Sequence, residues 1–340
     1  MRICVVGAGA IGGLMAAKLS QASNEGAGND VTVIDQGAHL AAIQQSGLKL
    51  IWEDGSEHVA KVKAVGSAAE AGPQDLVILA VKAHFLDQVA RDVDKLLDQD
   101  TMIVTVQNGM PWWYFHDFKG PLNGTRLKSL DPSGLLERHI PGGRIVGCVV
   151  YPAAAVTEPG VVTHVEGDRF PVGELDGSAS ERVQKLHDLL VEAGFRSRVL
   201  DDIRSEIWLK AWGNLSFNPI SALTHATLED ICTFPETRKL AATMMAEAQQ
   251  IAEKLGVTFR HTIDKRIEGA QSVGKHKTSM LQDVEAGRSL ETEALIGAIL
   301  EMGSLVDVPS PAIEAVYACV KLLNKTMLME QAGVALRKAG

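Results

Sequence analysis

Lys210, Asn214 and Asn218 stand four residues apart in the segment DIRSEIWLKAWGNLSFNPISALT. At a helical period, steps of four place all three on one stripe, about a turn between neighbours. The surrounding residues are largely apolar: Ile207, Trp208, Leu209, Trp212, Leu215, Phe217 and Ile220. An amine and two amides embedded in such a segment need partners, because burying a polar group unpaired is costly. Two readings fit the pattern. In one, a core helix lets its lysine snorkel to water while the amides bond to neighbouring loops. In the other, the stripe carries chemistry. Pro219 lies inside the predicted helix, where it should free a carbonyl and bend the axis beside Asn218.

A second group of chemically capable residues follows: Ser279-Met-Leu-Gln282-Asp283, then Arg288 and Glu291. S-x-x-Q is a capping-box pattern, so Ser279 has a structural reading as a helix start. Glu291 likewise reads as a first-turn acid favoured by the helix dipole.

These residues need a scaffold, and the N-terminus announces one. Arg2 to Val6 form a strand pattern, followed by Gly7-Ala-Gly9-Ala-Ile-Gly12 and an amphipathic helix from Ile11 to Leu19. In G-x-G-x-x-G between strand and helix, Gly7 allows the tight turn and Gly9 admits a pyrophosphate. Gly12 lets the helix pack on the strand. Ala10 and Ile11 open the helix, whose N-terminus offers free N–H groups to an anion. The next strand, Val31 to Ile34, ends at Asp35, an acid suited to ribose hydroxyls and repulsive to a 2′-phosphate. No basic residue follows in Gln36-Gly-Ala-His39, so Asp35 and Gln36 lean towards NADH.

Further strand patterns run from Leu48 to Trp52 and His58 to Val65, joined by a hairpin turn, and the buried run Leu76 to Val81 ends in Lys82. Met102 to Val106 ends in Gln107-Asn108-Gly109. Ligands of doubly wound sheets sit beyond the carboxyl ends of the strands, which places Lys82 and Asn108 beside the cofactor or substrate. Residues 111–143 are irregular and begin Pro-Trp-Trp-Tyr-Phe, an aromatic run that reads as a satellite core or as the wall of a substrate pocket. Strands Ile145 to Tyr151 and Val161 to Val165, a turn region Val172 to Gly177, a helix Ser180 to Ala193 and a strand Arg196 to Leu200 complete this half.

Beyond about Asp201 only helical periodicities remain: 203–223, 235–255, 263–274, 291–306 and 310–325. Strand–helix alternation followed by helices alone predicts an α/β, Rossmann-type doubly wound sheet and an all-α C-terminal domain. The expected domains are 1–200 for dinucleotide binding and 201–330 for substrate and catalysis, with 331–340 as a tail. At 340 residues two domains are the natural expectation. A net charge of −9 argues against nucleic acid, and no apolar run reaches the roughly 18 residues of a membrane helix. The strand pattern at MRICVVGAG predicts no signal peptide. Four scattered cysteines without a CxxC pair point to reduced thiols in the cytoplasm, and the ten histidines show no metal-ligand spacing.

Together these motifs make the chain resemble the ketopantoate reductase (2-dehydropantoate 2-reductase) family over nearly its whole length. The matching motifs are GAGAIG, VKA at 81–83, QNG at 107–109, VGELDG, the Lys210/Asn214/Asn218 helix with NPISALT, and SMLQD followed by Arg288 and Glu291. The resemblance implies NAD(P)H-dependent reduction of a 2-keto acid, with 2-dehydropantoate the default substrate and NADPH the family's usual cofactor. It also implies that Lys210 is the catalytic acid with Glu291 as its acidic companion. Asn108, Asn214, Asn218, Ser279 and Asp283 correspond to residues that bind or orient the substrate. Hydride reaching the keto carbon leaves negative charge on oxygen, which a nearby cation stabilises and then protonates. Two departures stand out. Gln36 replaces the arginine that usually reads a 2′-phosphate, and Met110-Pro111 with the aromatic run replaces the usual continuation after QNG. The alternatives are a dehydrogenase of a bulkier aromatic or branched 2-keto acid, and a non-catalytic dinucleotide sensor, which would have no need of Lys210 and Glu291. The helical half also offers apolar surface for a homodimer.

Overall fold

The computed structural model describes residues 1–22 and 28–336. Two compact units emerge, one made of residues 1–108, 112–126 and 133–203, the other of 109–111, 127–132 and 204–340.

The first unit opens with β1 (Arg2–Val6), α1 (Ala10–Ala22), β2 (Asp30–Ile34), α2 (Gly37–Ser46), β3 (Leu48–Ile51), β4 (Glu57–Ala60) and β5 (Lys63–Val65). There follow α3 (Ala68–Ala71), β6 (Gln74–Leu79), α4 (Leu86–Val93), β7 (Leu97–Thr105) and α5 (Leu135–His139). It closes with β8 (Ile145–Cys148), β9 (Ala153–Glu158), β10 (Val161–Glu166), β11 (Val172–Glu174) and α6 (Glu181–Glu192). Seven strands pair in the order β11-β8-β7-β6-β1-β2-β5, all parallel except β11. The six parallel strands follow the doubly wound dinucleotide-binding order, and the winding reverses between β1 and β6.

Helix α1 is almost wholly apolar, and it buries Leu14, Met15, Ala16, Ala17 and Leu19 completely. Such a helix must be covered on every side. Its second cover is a four-stranded sheet, β4-β3-β10-β9, where Val162 lies so near Gly13 that a Cβ there would come within 2.6 Å of Val162 Cγ2.

The predicted strand His58 to Val65 is in fact two. β4 pairs antiparallel with β3 in the small sheet, while β5 pairs parallel with β2 in the large one. Between them the Lys61 carbonyl accepts the Ser20 hydroxyl at 3.2 Å instead of continuing a ladder. The turn region at Val172 begins as the edge strand β11, and Ala153–Glu158 forms an unforeseen strand beside β10. Residues 196–200 exchange backbone bonds with 168–172 but form only isolated bridges, so the predicted strand there is irregular. Trp112, Trp113, Tyr114 and Phe115 are all buried in this unit or at its chain boundary. The Trp113 indole donates to Thr105 Oγ1 at 3.0 Å, and Tyr114 meets Phe115 edge to face at 5.0 Å. The run is a satellite core rather than an open wall.

The second unit is helical: α7 (Ile203–Thr224), α8 (Leu228–Thr233), α9 (Pro235–Lys254), α10 (Ile263–Ser272) and α11 (Ser279–Glu285), then a π-helical turn (Glu293–Gly297), α12 (Ala298–Leu305) and α13 (Pro311–Glu330). Trp208 and Trp212 anchor α7 in the core, the Trp212 indole donating to the Met245 carbonyl at 2.6 Å. The helix continues through Pro219. The buried Glu247 carboxylate accepts the Ala312 and Ile313 N–H groups at 3.0 Å each, a negative charge at the dipole's positive end of α13. The tail does not hang loose over its described part, because Val334 N–H donates to the Val284 carbonyl at 3.0 Å. Residues 337–340 of that tail lie outside the described residues.

Among the described residues, no helix is long and apolar enough to cross a membrane, and no cluster of His, Cys, Asp and Glu could hold a metal ion.

Candidate active site

The glycine turn in the first unit separates two kinds of glycine. A Cβ on Gly12 would lie 1.9 Å from the Gly7 carbonyl oxygen, and one on Gly7, at φ +93°, would lie 2.8 Å from Val81 Cγ1. Both are demanded by the protein's own packing. A Cβ on Gly9 would meet nothing within 4 Å. Packing therefore gives no reason for glycine at that position, and the backbone there is open to close approach from outside. Ala10 and Ile11 follow as the first residues of α1, with their N–H groups at its positive end.

The turn is held from both sides at Ala8. Its N–H donates to Asp35 Oδ2 at 2.7 Å, while Asp35 Oδ1 accepts the Gln36 N–H at 2.7 Å. The Ala8 carbonyl lies 2.8 Å from His39 Nε2, and the Gly160 N–H donates to His39 Nδ1 at 3.0 Å. Since Nδ1 accepts, the proton of the neutral ring sits on Nε2 and is donated to Ala8. Asp35 thus braces the loop and still has lone pairs for ribose hydroxyls. Gln36 is exposed beside it. The bracing role of His39 was not read from the sequence, because its partner Gly160 is distant along the chain.

Beyond β6 comes Lys82, half-buried at the start of a short turn Ala83–Phe85. The strand stops at Leu79, earlier than its apolar run, and Gln107 Nε2 donates to the Leu79 and Val81 carbonyls at 2.7 and 3.1 Å. Gln107 therefore ties together the strand ends from which Lys82 and Asn108 emerge. Gly109 then turns at φ +84°, and Met110 N–H donates to the Ala294 carbonyl at 2.8 Å within the second unit. A Cβ on Gly109 would lie 2.3 Å from that same oxygen.

In the second unit, α7 carries Lys210, Asn214 and Asn218 on one stripe. Lys210 and Asn214 are half-buried, and Asn218 is only 7% exposed. Among the described residues no protein group hydrogen-bonds the side chain of Asn214 or Asn218. Neither amide is among the sealed-off, unpartnered polar atoms, so both are open to a ligand.

Thr278, not Ser279, caps α11, its hydroxyl accepting the Leu281 N–H at 3.3 Å. The expected capping role of Ser279 is thereby displaced by one residue, and its exposed hydroxyl remains on the first turn. Asp283 is engaged structurally, accepting Arg288 Nε at 2.7 Å. That ion pair competes with the substrate contact expected of it. Glu291 stands just ahead of the π-helical turn, and its carbonyl accepts the Leu295 N–H at 3.1 Å. Single π turns inside helices recur at functional sites. This one is steadied from α13, where the Tyr317 hydroxyl donates to Glu293 at 2.7 Å and Lys321 pairs with it at 3.0 Å.

The VGELDG motif has a structural role. Glu174, nearly fully buried, receives Arg182 through Nε and Nη2 at 2.6 Å each, and also the Ser180 hydroxyl that caps α6.

Comparison with known proteins places both units in one family. Residues 3–112 match the family Ketopantoate reductase PanE/ApbA, and residues 202–324 match Ketopantoate reductase PanE/ApbA C terminal. A 2-dehydropantoate 2-reductase of Mesorhizobium japonicum is 54% identical over 323 residues, covering 95% of this chain and 98% of that protein. A solved structure from Ralstonia solanacearum MolK2, described as a ketopantoate reductase, superposes with a TM-score of 0.90 at 39% identity, covering 96% of this chain and 98% of its own. A D-mandelate dehydrogenase solved with NADH and anilino(oxo)acetate gives 0.81 at 24% identity, covering 96% of this chain and 100% of its own, a likeness of fold alone. The glycine turn, the polar stripe of α7 and the similarity over both units lead to one conclusion: the chain belongs to the ketopantoate reductase family.

Proposed function

We propose that this protein reduces 2-dehydropantoate to pantoate with a reduced nicotinamide dinucleotide. The observation that carries the reading is the presence in one chain of a cofactor turn, open at Gly9, and a helix stripe whose two amides lack protein partners among the described residues. A bound nicotinamide dinucleotide supplies the hydride. Gly9, Ala10 and Ile11 receive its pyrophosphate, Asp35 and Gln36 its adenosine ribose, and Lys82 and Asn108 the region beyond the strand ends. Lys210 stabilises the charge that develops on the keto oxygen and protonates it. Asn214, Asn218 and Ser279 orient the substrate, and Glu291 supports Lys210 or accepts a substrate hydroxyl. Asp283, held by Arg288, contributes least.

Asp35 supports NADH as the preferred cofactor, since a carboxylate between two backbone N–H groups repels a 2′-phosphate. All four cysteines are thiols, in keeping with a cytoplasmic setting. The exposed Leu322, Leu328 and Met329 of α13 support a homodimer through the helical unit. The reading as a bulky-acid dehydrogenase drew on the aromatic run, which is spent on packing. The sensor reading leaves Lys210 and Glu291 without a purpose.

The test is oxidation of NADH and NADPH against a panel of 2-keto acids, with Lys210→Ala alongside. Turnover of 2-dehydropantoate should lead the panel, and the variant should lose at least about a hundredfold in kcat while still binding cofactor. Near-normal turnover by the variant would remove Lys210 from the mechanism. A protein that binds dinucleotide and reduces none of the acids would be a sensor.

A further inference from the structure

Helix α7 contains a glycine, Gly213, one position before Asn214 and one turn after Lys210. Glycine weakens a helix interior, so its presence there calls for a close neighbour. The neighbour is Arg266 of α10. A Cβ on Gly213 would lie 2.1 Å from Arg266 Nη2, 2.8 Å from Cζ and 3.2 Å from Nε, so the guanidinium occupies the space that a side chain at this position would need. Its Cζ is also 5.9 Å from the Phe217 ring centroid. At about 100° per residue, Gly213 lies roughly 60° and Phe217 roughly 20° around the helix from Lys210, and Asn214 about 40° to the other side. Arg266 thus flanks the polar stripe, and it is half-buried there.

A 2-keto acid brings a permanent carboxylate next to the carbonyl that reacts. Lys210 is committed to the carbonyl oxygen, Asn214 and Asn218 are neutral, and Glu291 is an acid. A carboxylate leaving water beside these groups requires a further cation. A guanidinium fork matches a carboxylate in geometry, with two parallel N–H···O bonds. We propose that Arg266 is the residue that binds the substrate carboxylate and so selects acids over neutral ketones, and that Gly213 is present to admit it. The proposal rests on the reductase reading above.

Steady-state kinetics with 2-dehydropantoate and with a neutral ester of the same keto acid test it, using Arg266→Met, Arg266→Lys and Gly213→Ala. Arg266→Met should raise KM for the acid about tenfold or more, with kcat affected less and KM for the ester unchanged. Arg266→Lys should recover part of the loss. Gly213→Ala should reproduce the rise in KM by displacing the guanidinium, in a helix that alanine otherwise favours. Equal losses on acid and ester would mean a structural role and overturn the proposal, as would an unchanged KM in both Arg266→Met and Gly213→Ala. An active wild type with such a result refutes the proposal alone, whereas a wild type inactive on every 2-keto acid refutes the reductase reading and the proposal with it.

Discussion

The two glycines of the cofactor turn should respond to alanine in opposite ways. Gly12→Ala places a methyl 1.9 Å from the Gly7 carbonyl oxygen and 2.8 Å from Ala80 Cβ, neither of which is the free end of a flexible chain. Backbone must shift, an overpacking cost of about 1–3 kcal/mol. At roughly 2–4 °C per kcal/mol for a unit of this size, Tm falls by about 2–12 °C. Gly9→Ala places its methyl where no protein atom lies within 4 Å, and Gly9 does not require a positive φ. Its Tm without ligand should therefore match the wild type within about 1–2 °C. The methyl instead occupies the approach of the pyrophosphate, so the same overpacking cost appears in binding and Kd for NADH rises roughly five- to 150-fold. Differential scanning fluorimetry and fluorescence titration with NADH separate the two effects. Wild-type affinity in Gly9→Ala would refute the view that this glycine serves a ligand. An equal loss of Tm in both variants would refute the packing argument that distinguishes them.

Three further outcomes follow from the geometry. With Asp35 braced between two N–H groups, KM for NADPH should be no lower than KM for NADH; clear NADPH preference would mean that other groups cradle the phosphate. Removing Arg182 strands the buried Glu174 carboxylate, and Arg182→Ala should lower unfolding free energy by about 2–3 kcal/mol, below the usual range because the guanidinium is 39% exposed. Denaturant titration measures it, and a loss under about 0.5 kcal/mol would show the pair to be idle. A thiol reagent at pH 8 should modify Cys319 alone in the native protein, because Cys148 and Cys232 are buried and burial pushes the Cys4 thiol up to about 12. Mass spectrometry that finds rapid labelling of Cys4 would contradict its place in β1.

The parts of this protein that were legible in its sequence are those in which spacing encodes geometry directly. Gly7 and Gly12 answer to different steric demands within a single turn, and Lys210, Asn214 and Asn218 share a face by helical arithmetic. Features decided by distant partners were not legible. His39 gains its bracing role from Gly160, and the run from His58 to Val65 divides because its first part pairs with β3 and its last with β2. Neighbouring hydroxyls also defeated the reading: Thr278 takes the extended conformation of a cap at φ −64° and ψ 157°, leaving Ser279 one step inside the helix. Gly213 drew no reading from the sequence, because its close neighbour Arg266 lies on another helix.

The short segments 109–111 and 127–132 belong with the helical unit although the chain reaches them long before α7. Met110 supplies a donor to the Ala294 carbonyl, and the Lys128 and Ser129 N–H groups bond the two oxygens of Glu301 at 2.8 Å each. No single cut near residue 203 can therefore release a whole helical unit, since its fragment would lose three donors encoded upstream. The helical unit is assembled from three separate stretches of chain, so this polypeptide resists modular reuse. A fusion or transplant that borrows the catalytic helices must borrow the upstream stretches as well.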